Sequence, residues 1–442
     1  MSESSQKMRE IDDQVVRSLE RPSRGYIAVV AFFALLAVAG VIAYMFQYYI
    51  GMGVTGICIP VGWGTYITNF VFWVGIAHAG TLVSAILFLF RVSWRNHINR
   101  AAEAMTIFAI LTAGLFPLIH LGRVWVFYWI LPYPNWRHLW PNFKSPLVWD
   151  VIAVTTYLTV STLFFYLGLI PDIAAVRDKM EKGWRKTLYT VASLGWTGRH
   201  EQWRHYARAY LCLACLVTPL VISVHSVVSW DFAMAVVRGW HTTIFAPYFV
   251  AGAIHSGLAT AILLLVPLRK ALHLERLITK WDLEQMALLM IFTASIIGYA
   301  YGIEAFMAWY SGDKIEQQFS LYRAFGSPYY SPLFWMMVIF NVFVPMLFFW
   351  KKIRSSIKWL VVISILVDIG MWLERFVIIV SSLSHDYLPS SWGNYAPRLV
   401  EVLVTGFSFG FFCVLFLTFV KLFPAVPMSE AKEAALPHTE GH

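Results

Sequence analysis

The apolar segments of this chain repeat themselves. Gly75-Ile-Ala-His78-Ala-Gly80 returns as Gly252-Ala-Ile-His255-Ser-Gly257, Glu103-Ala-Met105 with Thr112-Ala113 returns as Glu284-Gln-Met286 with Thr293-Ala294, and Ser145-Pro-Leu-Val-Trp149 returns as Ser331-Pro-Leu-Phe-Trp335. The three offsets are 177, 181 and 186 residues, in the same order along the chain. Ordered pairs at nearly constant separation predict two structurally equivalent bundles, because internal similarity is the signature of duplicated membrane folds. Any site has to be read against that pseudo-symmetry.

The solvent for these repeats is lipid. Only 13% of the 442 residues are charged and 59% are hydrophobic, too few charges to clothe a water-soluble protein of this size. A bilayer crossing takes about 20 mostly apolar residues. Ten stretches qualify, near residues 26–50, 64–90, 101–122, 147–171, 207–230, 243–267, 284–308, 332–350, 358–380 and 399–422. A span of this length must satisfy its own backbone hydrogen bonds, so the expected fold class is an all-α integral membrane protein. Four helices per repeat make the two copies parallel, with one extra helix at each end.

The expected organisation is an N-terminal segment (1–25), a first helix with its loop (26–63), bundle one (64–230), bundle two (231–380), a last helix (381–423) and a tail (424–442). That tail reads as a disordered end. Of the 34 Lys and Arg residues, 26 fall on the side holding both termini and 8 on the other, which predicts cytoplasmic termini in a multi-pass inner (plasma) membrane protein. The excess of +9 then reports topology and anionic headgroups, without invoking nucleic acid. Residues 1–24 lack the apolar core of a cleaved signal peptide.

Cysteines at 58, 212, 215 and 413 are too scattered to gather an iron-sulfur cluster. No Gly-x-Gly-x-x-Gly fingerprint or phosphate-cradling loop is present to hold flavin or nucleotide. If redox chemistry occurs, electrons leave through a partner.

Ionisable residues in and beside the apolar stretches are the remaining signal, since each costs several kcal/mol unless paired or wet. They crowd the outer ends: His120 and Arg123, Asp150, His225 and Asp231, His241, Glu304, Glu374 and Arg375, Arg398 and Glu401. Arg398 and Glu401, one turn apart, read first as a structural pair. His120 and Arg123 are spaced to share a helix face, behind Pro117. By offset, position 120 corresponds to Tyr301 and position 150 to Met336, so proton-exchanging chemistry is expected in the first bundle. Deeper lie the repeat equivalents His78 and His255, and Asp368. Bis-imidazole haem ligation, stations of a proton path, and packed imidazoles bonded to a neighbouring acceptor are all open readings of the two histidines.

Taken together, Gly75-Ile-Ala-His78-Ala-Gly-Thr-Leu, Ala85-Ile-Leu-Phe-Leu-Phe-Arg91, Asn99-Arg-Ala-Ala-Glu103-Ala-Met105, His120-Leu-Gly-Arg123, Leu131-Pro-Tyr-Pro-Asn135, Ser145-Pro-Leu-Val-Trp-Asp150 and Gly168-Leu-Ile-Pro-Asp172 resemble the NrfD / polysulfide reductase family of membrane subunits, over about residues 26–420. Within it the likeness is nearest to ActC-type subunits of bacterial alternative complex III, with the ActF type as a sister. The resemblance implies a quinol-binding, quinol-oxidising subunit, menaquinol being the expected substrate, without bound haem, flavin or iron-sulfur cluster of its own. It also implies an external ActB-like iron-sulfur subunit, multihaem cytochrome c subunits and a homologous ActF-like membrane subunit as partners. Quinol oxidation releases two protons and two electrons, so it needs hydrogen-bonding proton acceptors near an electron acceptor. His120 and Asp150 are the expected catalytic pair, Asp231, Arg375 and Arg123 further quinol-binding candidates, and Phe116, Trp125 and Trp149 the apolar lining. His78, His255 and Asp368 are candidates for a proton path. A cofactor-free anchor, an ActF-like proton-path subunit and a secondary transporter stay as alternatives; transporter repeats are often inverted, whereas these are parallel.

Overall fold

In the computed structural model, residues 3–131, 133, 138 and 142–435 are described. Among them every regular element is helical. The ten apolar stretches all form helices, framed by short amphipathic ones: α1 (Glu3–Ser18), α2 (Arg24–Ile50), α3 (Thr65–Thr81, prolonged by a π turn to Leu89), α4 (Asn99–His120), α5 (Pro146–Lys179), α6 (Trp184–Ala192), α7 (His200–Ala233), α8 (Phe245–Ala271), α9 (Lys280–Tyr310), α10 (Lys314–Leu321), α11 (Tyr330–Val338, prolonged to Phe349), α12 (Ile357–Phe376, prolonged to Ser384), α13 (Leu399–Leu422) and α14 (Met428–Ala435). Nine of them among the described residues are long and apolar enough to span a bilayer. The tenth, α12, is long enough but carries Asp368, Glu374 and Arg375 in its length.

Burial sorts these helices. Every residue of α3 from Thr65 to Thr81 is buried, so α3 is the core of the molecule. It packs on α4 on one side and on α8 on the other, while α8 also touches α7, α9 and α12. By contrast α2 is apolar all round and mostly exposed, a lipid-facing helix held by α13. Small residues make that contact: a Cβ on Gly410 would lie 2.6 Å from the Phe33 carbonyl oxygen, and one on Gly40 would overlap Phe407 Cβ.

The repeated Gly-x-x-His-x-Gly segments meet each other where α3 crosses α8. A Cβ on Gly75 would touch Ser256 Oγ at 3.5 Å, and one on Gly257 would clash with Ala79 Cβ. The repeated Ser-Pro-Leu-x-Trp segments also do the same work twice. Pro146 opens α5, and Trp149 Nε1 donates to the Phe143 carbonyl at 2.7 Å; Pro332 lies in the first turn of α11, and Trp335 Nε1 donates to the Ala324 carbonyl at 3.0 Å.

One expectation fails. The segment after Pro424 is not a loose end as far as it is described. Ala425, Val426 and Met428 are buried, and α14 packs against α1, against the short turn at Ser93–His97 before α4, and against α5. Asp172 accepts the Met428 N–H at 3.0 Å while bound by Arg100 at 3.0 Å, and Glu430 pairs with Arg95 at 3.0 Å. Lys432 reaches Asp12 of α1 at 2.6 Å. A polar helix that looks unstructured alone is ordered because it supplies partners for charges already buried. Residues past 435, and most of the Leu131 to Asn135 motif, lie outside the described residues.

Candidate functional site

The face opposite α1 and α14 is built where α4, α5 and α7 end or begin. Helix α4 stops just past His120: Leu121 still has helical dihedrals, but Gly122 takes φ +67°, a left-handed conformation that glycine adopts without strain. The chain therefore bends before Arg123, which is exposed in the following turn. His120 and Arg123 do not share one helix face, contrary to their spacing. His120 is partly buried and its Nδ1 has no hydrogen-bond partner among the described residues.

Asp150 lies one turn into α5 and Asp231 one turn from the end of α7, two helices in contact along their length. Their carboxyls face each other within hydrogen-bonding reach. A hydrogen bond between two carboxyls requires that one of them hold a proton. Each keeps its Oδ1 buried and without a partner among the described residues. No described contact joins His120 to Asp150, so the pairing that sequence missed is carboxyl with carboxyl. Its only sequence signal was that both Asp residues sit at the far ends of the fourth and fifth apolar stretches.

Beside Asp231, a cavity of about 270 Å³ is lined by Trp230, Ala233, Met234, His241, Thr242, Thr243 and Ala246. Trp149, next to Asp150, meets Trp230 edge to face, with centroids 6.1 Å apart. A mostly apolar recess whose Trp230 adjoins Asp231 in the chain and meets Trp149, the neighbour of Asp150, is suited to a flat molecule bearing hydroxyl groups.

Arg375 stands elsewhere. It is 2% exposed, its guanidinium lies 4.1 Å over the Phe249 ring, and its Nη1 is 2.9 Å from Glu374. Glu374 in turn accepts the Tyr301 hydroxyl, which also accepts from Asn341 at 3.0 Å. No described contact links Arg375 to Asp150, Asp231 or His120.

The deeper histidines separate as well. His255 Nδ1 is 2.8 Å from Thr293 Oγ1. The His78 ring stacks on Tyr157 at 4.9 Å and lies 4.5 Å from the ring of His225, a residue of α7. So the two repeat-related imidazoles have different neighbours, His78 facing His225 and His255 facing Thr293. Asp368 accepts from Thr260 at 3.0 Å. His78 Nε2, His255 Nε2, Asp368 Oδ1 and both ring nitrogens of His225 are buried without a protein partner among the described residues, a set of polar atoms that internal water would satisfy. Arg398 and Glu401, the expected structural pair, are structural by another route: Glu401 accepts the backbone N–H of Arg398 at 2.9 Å and of Gly56 at 2.6 Å.

Comparison with known proteins agrees with this architecture. Residues 53–385 match the family described as polysulphide reductase, NrfD. A protein of Halobacterium salinarum, provisionally named as a membrane subunit of a dimethyl sulfoxide reductase, is 30% identical over 245 residues, 55% of this chain and 51% of that protein. The Hdr-like menaquinol oxidoreductase integral membrane subunit of Archaeoglobus fulgidus is 22% identical over 438 residues, 94% of this chain and 98% of that protein. A selenate reductase subunit of Mesobacillus selenatarsenatis is 24% identical over 248 residues, 54% of this chain and 55% of that protein. The chain thus spans about half the length of the first and third relatives and nearly all of the second.

Proposed function

Because the chain belongs to the NrfD polysulphide reductase family, an assignment that makes it a multi-pass membrane subunit, we propose that it binds and oxidises a quinol and passes the electrons to an iron-sulfur partner on its far face. The observation that carries this reading is the Asp150–Asp231 carboxyl pair, whose chain neighbours Trp149 and Trp230 meet and of which Trp230 lines a mostly apolar recess. A quinol hydroxyl donates to the unprotonated carboxyl, and the same pair then carries its proton away, while His120 offers its unpartnered ring nitrogen to the second hydroxyl. Menaquinol is the substrate this reading favours, in keeping with the name of the full-length Archaeoglobus relative.

The finer assignment is an ActC-type subunit of an alternative complex III, with an ActB-like iron-sulfur subunit, multihaem cytochromes and an ActF-like sister as partners. Both termini are then cytoplasmic, and the far face lies outside. His78, His255 and Asp368 would serve proton movement from the inner side through bound water. In this reading Arg375 positions and neutralises Glu374, and Arg123 docks the partner rather than touching quinol.

The test is quinol:acceptor turnover of the purified, assembled complex carrying His120→Ala or Asp150→Asn. Loss of turnover with assembly intact supports the site. Wild-type turnover in both variants sinks it and leaves the anchor reading.

A further inference from the structure

Helix α6 is too short to span, at nine residues or roughly 14 Å. It has three distinct faces. At 100° per residue, Trp184, Leu188 and Val191 form one narrow stripe, 65%, 36% and 70% exposed, and Leu194 follows at 68%. Arg185, Tyr189 and Ala192 form the adjacent stripe, which is docked. Tyr189 is fully buried and its hydroxyl donates to the Leu422 carbonyl at 2.6 Å, at the last residue of α13; Arg185 Nη1 donates to the Leu19 carbonyl at 2.7 Å, just past the end of α1. Lys186, Thr187 and Thr190 make the third, polar stripe.

Those ties fix α6 at the level where a spanning helix ends, with its apolar stripe free. Large apolar side chains exposed in register at that level fit the boundary between acyl chains and headgroups. The surrounding charge is mostly positive: residues 177–208 hold eight Lys and Arg against Asp178, Glu181 and Glu201. Lys182, Arg199, Arg204 and Arg208 are exposed there. Trp196, Trp203 and Tyr206, within the same stretch, meet edge to face, 5.1 to 5.8 Å between centroids.

We propose that α6 is an interfacial anchor that lies in the leaflet on the termini face and recognises anionic phospholipid headgroups through Lys182, Lys186 and the basic start of α7. The stripe of Trp184, Leu188 and Val191 enters the acyl boundary, and the cations beside it hold the phosphates. The proposal does not depend on the quinol reading.

A nitroxide on Leu188→Cys or Thr190→Cys, in assembled complex in which this chain's four native cysteines are serine, reports collisions with oxygen and with a water-soluble nickel chelate. Vesicles of phosphatidylcholine alone are compared with vesicles that also contain phosphatidylglycerol; Val191→Cys is a second apolar-face reporter should Leu188→Cys fail to assemble. The expected result is an oxygen-to-nickel ratio several-fold higher at 188 than at 190, raised further by phosphatidylglycerol, with the rise abolished by Lys182→Gln with Lys186→Gln. Nickel reaching 188 as freely as 190 overturns the anchor, as does shielding of 188 from both reagents, which marks a protein partner on this face. A ratio indifferent to phosphatidylglycerol overturns headgroup recognition.

Discussion

Asp150 and Asp231 reach one point from two helices, so changing either to Asn removes an ionisable oxygen and leaves a hydrogen-bonding amide facing the other carboxyl. We expect Asp150→Asn and Asp231→Asn each to fold and assemble but to lose about a hundredfold or more in quinol turnover, the usual scale for a lost general base. Because the pair acts as a unit, the double variant should lose no more than the worse single one, read as kcat in the assembled complex; additive losses would mean independent roles. His385 gives a pH prediction outside the spanning segments. Its ring lies 3.8 Å from Trp392 and 3.9 Å from Tyr322, with Arg238 Nη1 3.5 Å from Nδ1, and burial first, then the Arg238 charge, hold its proton affinity below the ordinary histidine value. Glu316 and Asp386 are the nearby acids, Glu316 accepting from the Gly239 backbone next to Arg238 and Asp386 adjoining the histidine in sequence. A depressed histidine stays neutral in the fold while the unfolded chain takes a proton below about pH 6.5, so stability is constant above that value and falls beneath it. His385→Asn should flatten the acid limb of a melting-temperature profile; an unchanged limb assigns the acid sensitivity elsewhere.

At the scale of helices, the crossing of α3 with α8 depends on absent side chains. A Cβ on Gly257 would overlap Ala79 Cβ and sit 2.9 Å from the Ile76 carbonyl oxygen, both on a helix buried on every side. Gly257→Val should therefore part the helices at a cost of about 1–3 kcal/mol or more, lowering the melting temperature of the complex, whereas Gly302→Val, with open space around it, should not. Equal melting of the two would show that the crossing tolerates widening. These helices were legible from sequence because lipid permits a chain little else, and the repeated Gly and Ser-Pro-Leu-x-Trp segments marked where they cross and begin. Which side chains face one another was not. The carboxyl pair depends on how α5 and α7 are rotated, and the different surroundings of His78 and His255 on which helices pack against each ring, neither of which leaves a pattern in hydropathy. The docking of α14 was hidden for a different reason: its partners, Asp172 and Arg95, lie more than 250 residues away along the chain.

Over the whole molecule the duplication is broken at one end. Tyr301 occupies the position that corresponds to His120, and its hydroxyl is already committed to Glu374 and Asn341 beneath the ring of Tyr248, 5.7 Å away. His120, by contrast, has a buried nitrogen without a partner, and the Oδ1 atoms of Asp150 and Asp231 are buried without a hydrogen-bond partner among the described residues. Buried polar atoms of that kind are costly unless water or a ligand meets them. At the outer end of the second half the phenol that replaces His120 is already committed, whereas the first half keeps His120 Nδ1 and the two carboxyl oxygens open, near the recess at Trp230 and Met234. A photoreactive quinol analogue on the assembled complex should therefore label peptides from the far ends of α5 and α7, with labelling suppressed by excess menaquinol and by Asp231→Asn. Label recovered from α9, α11 or α12 would place the substrate in the second half and would demand that the Tyr301 network open to receive it.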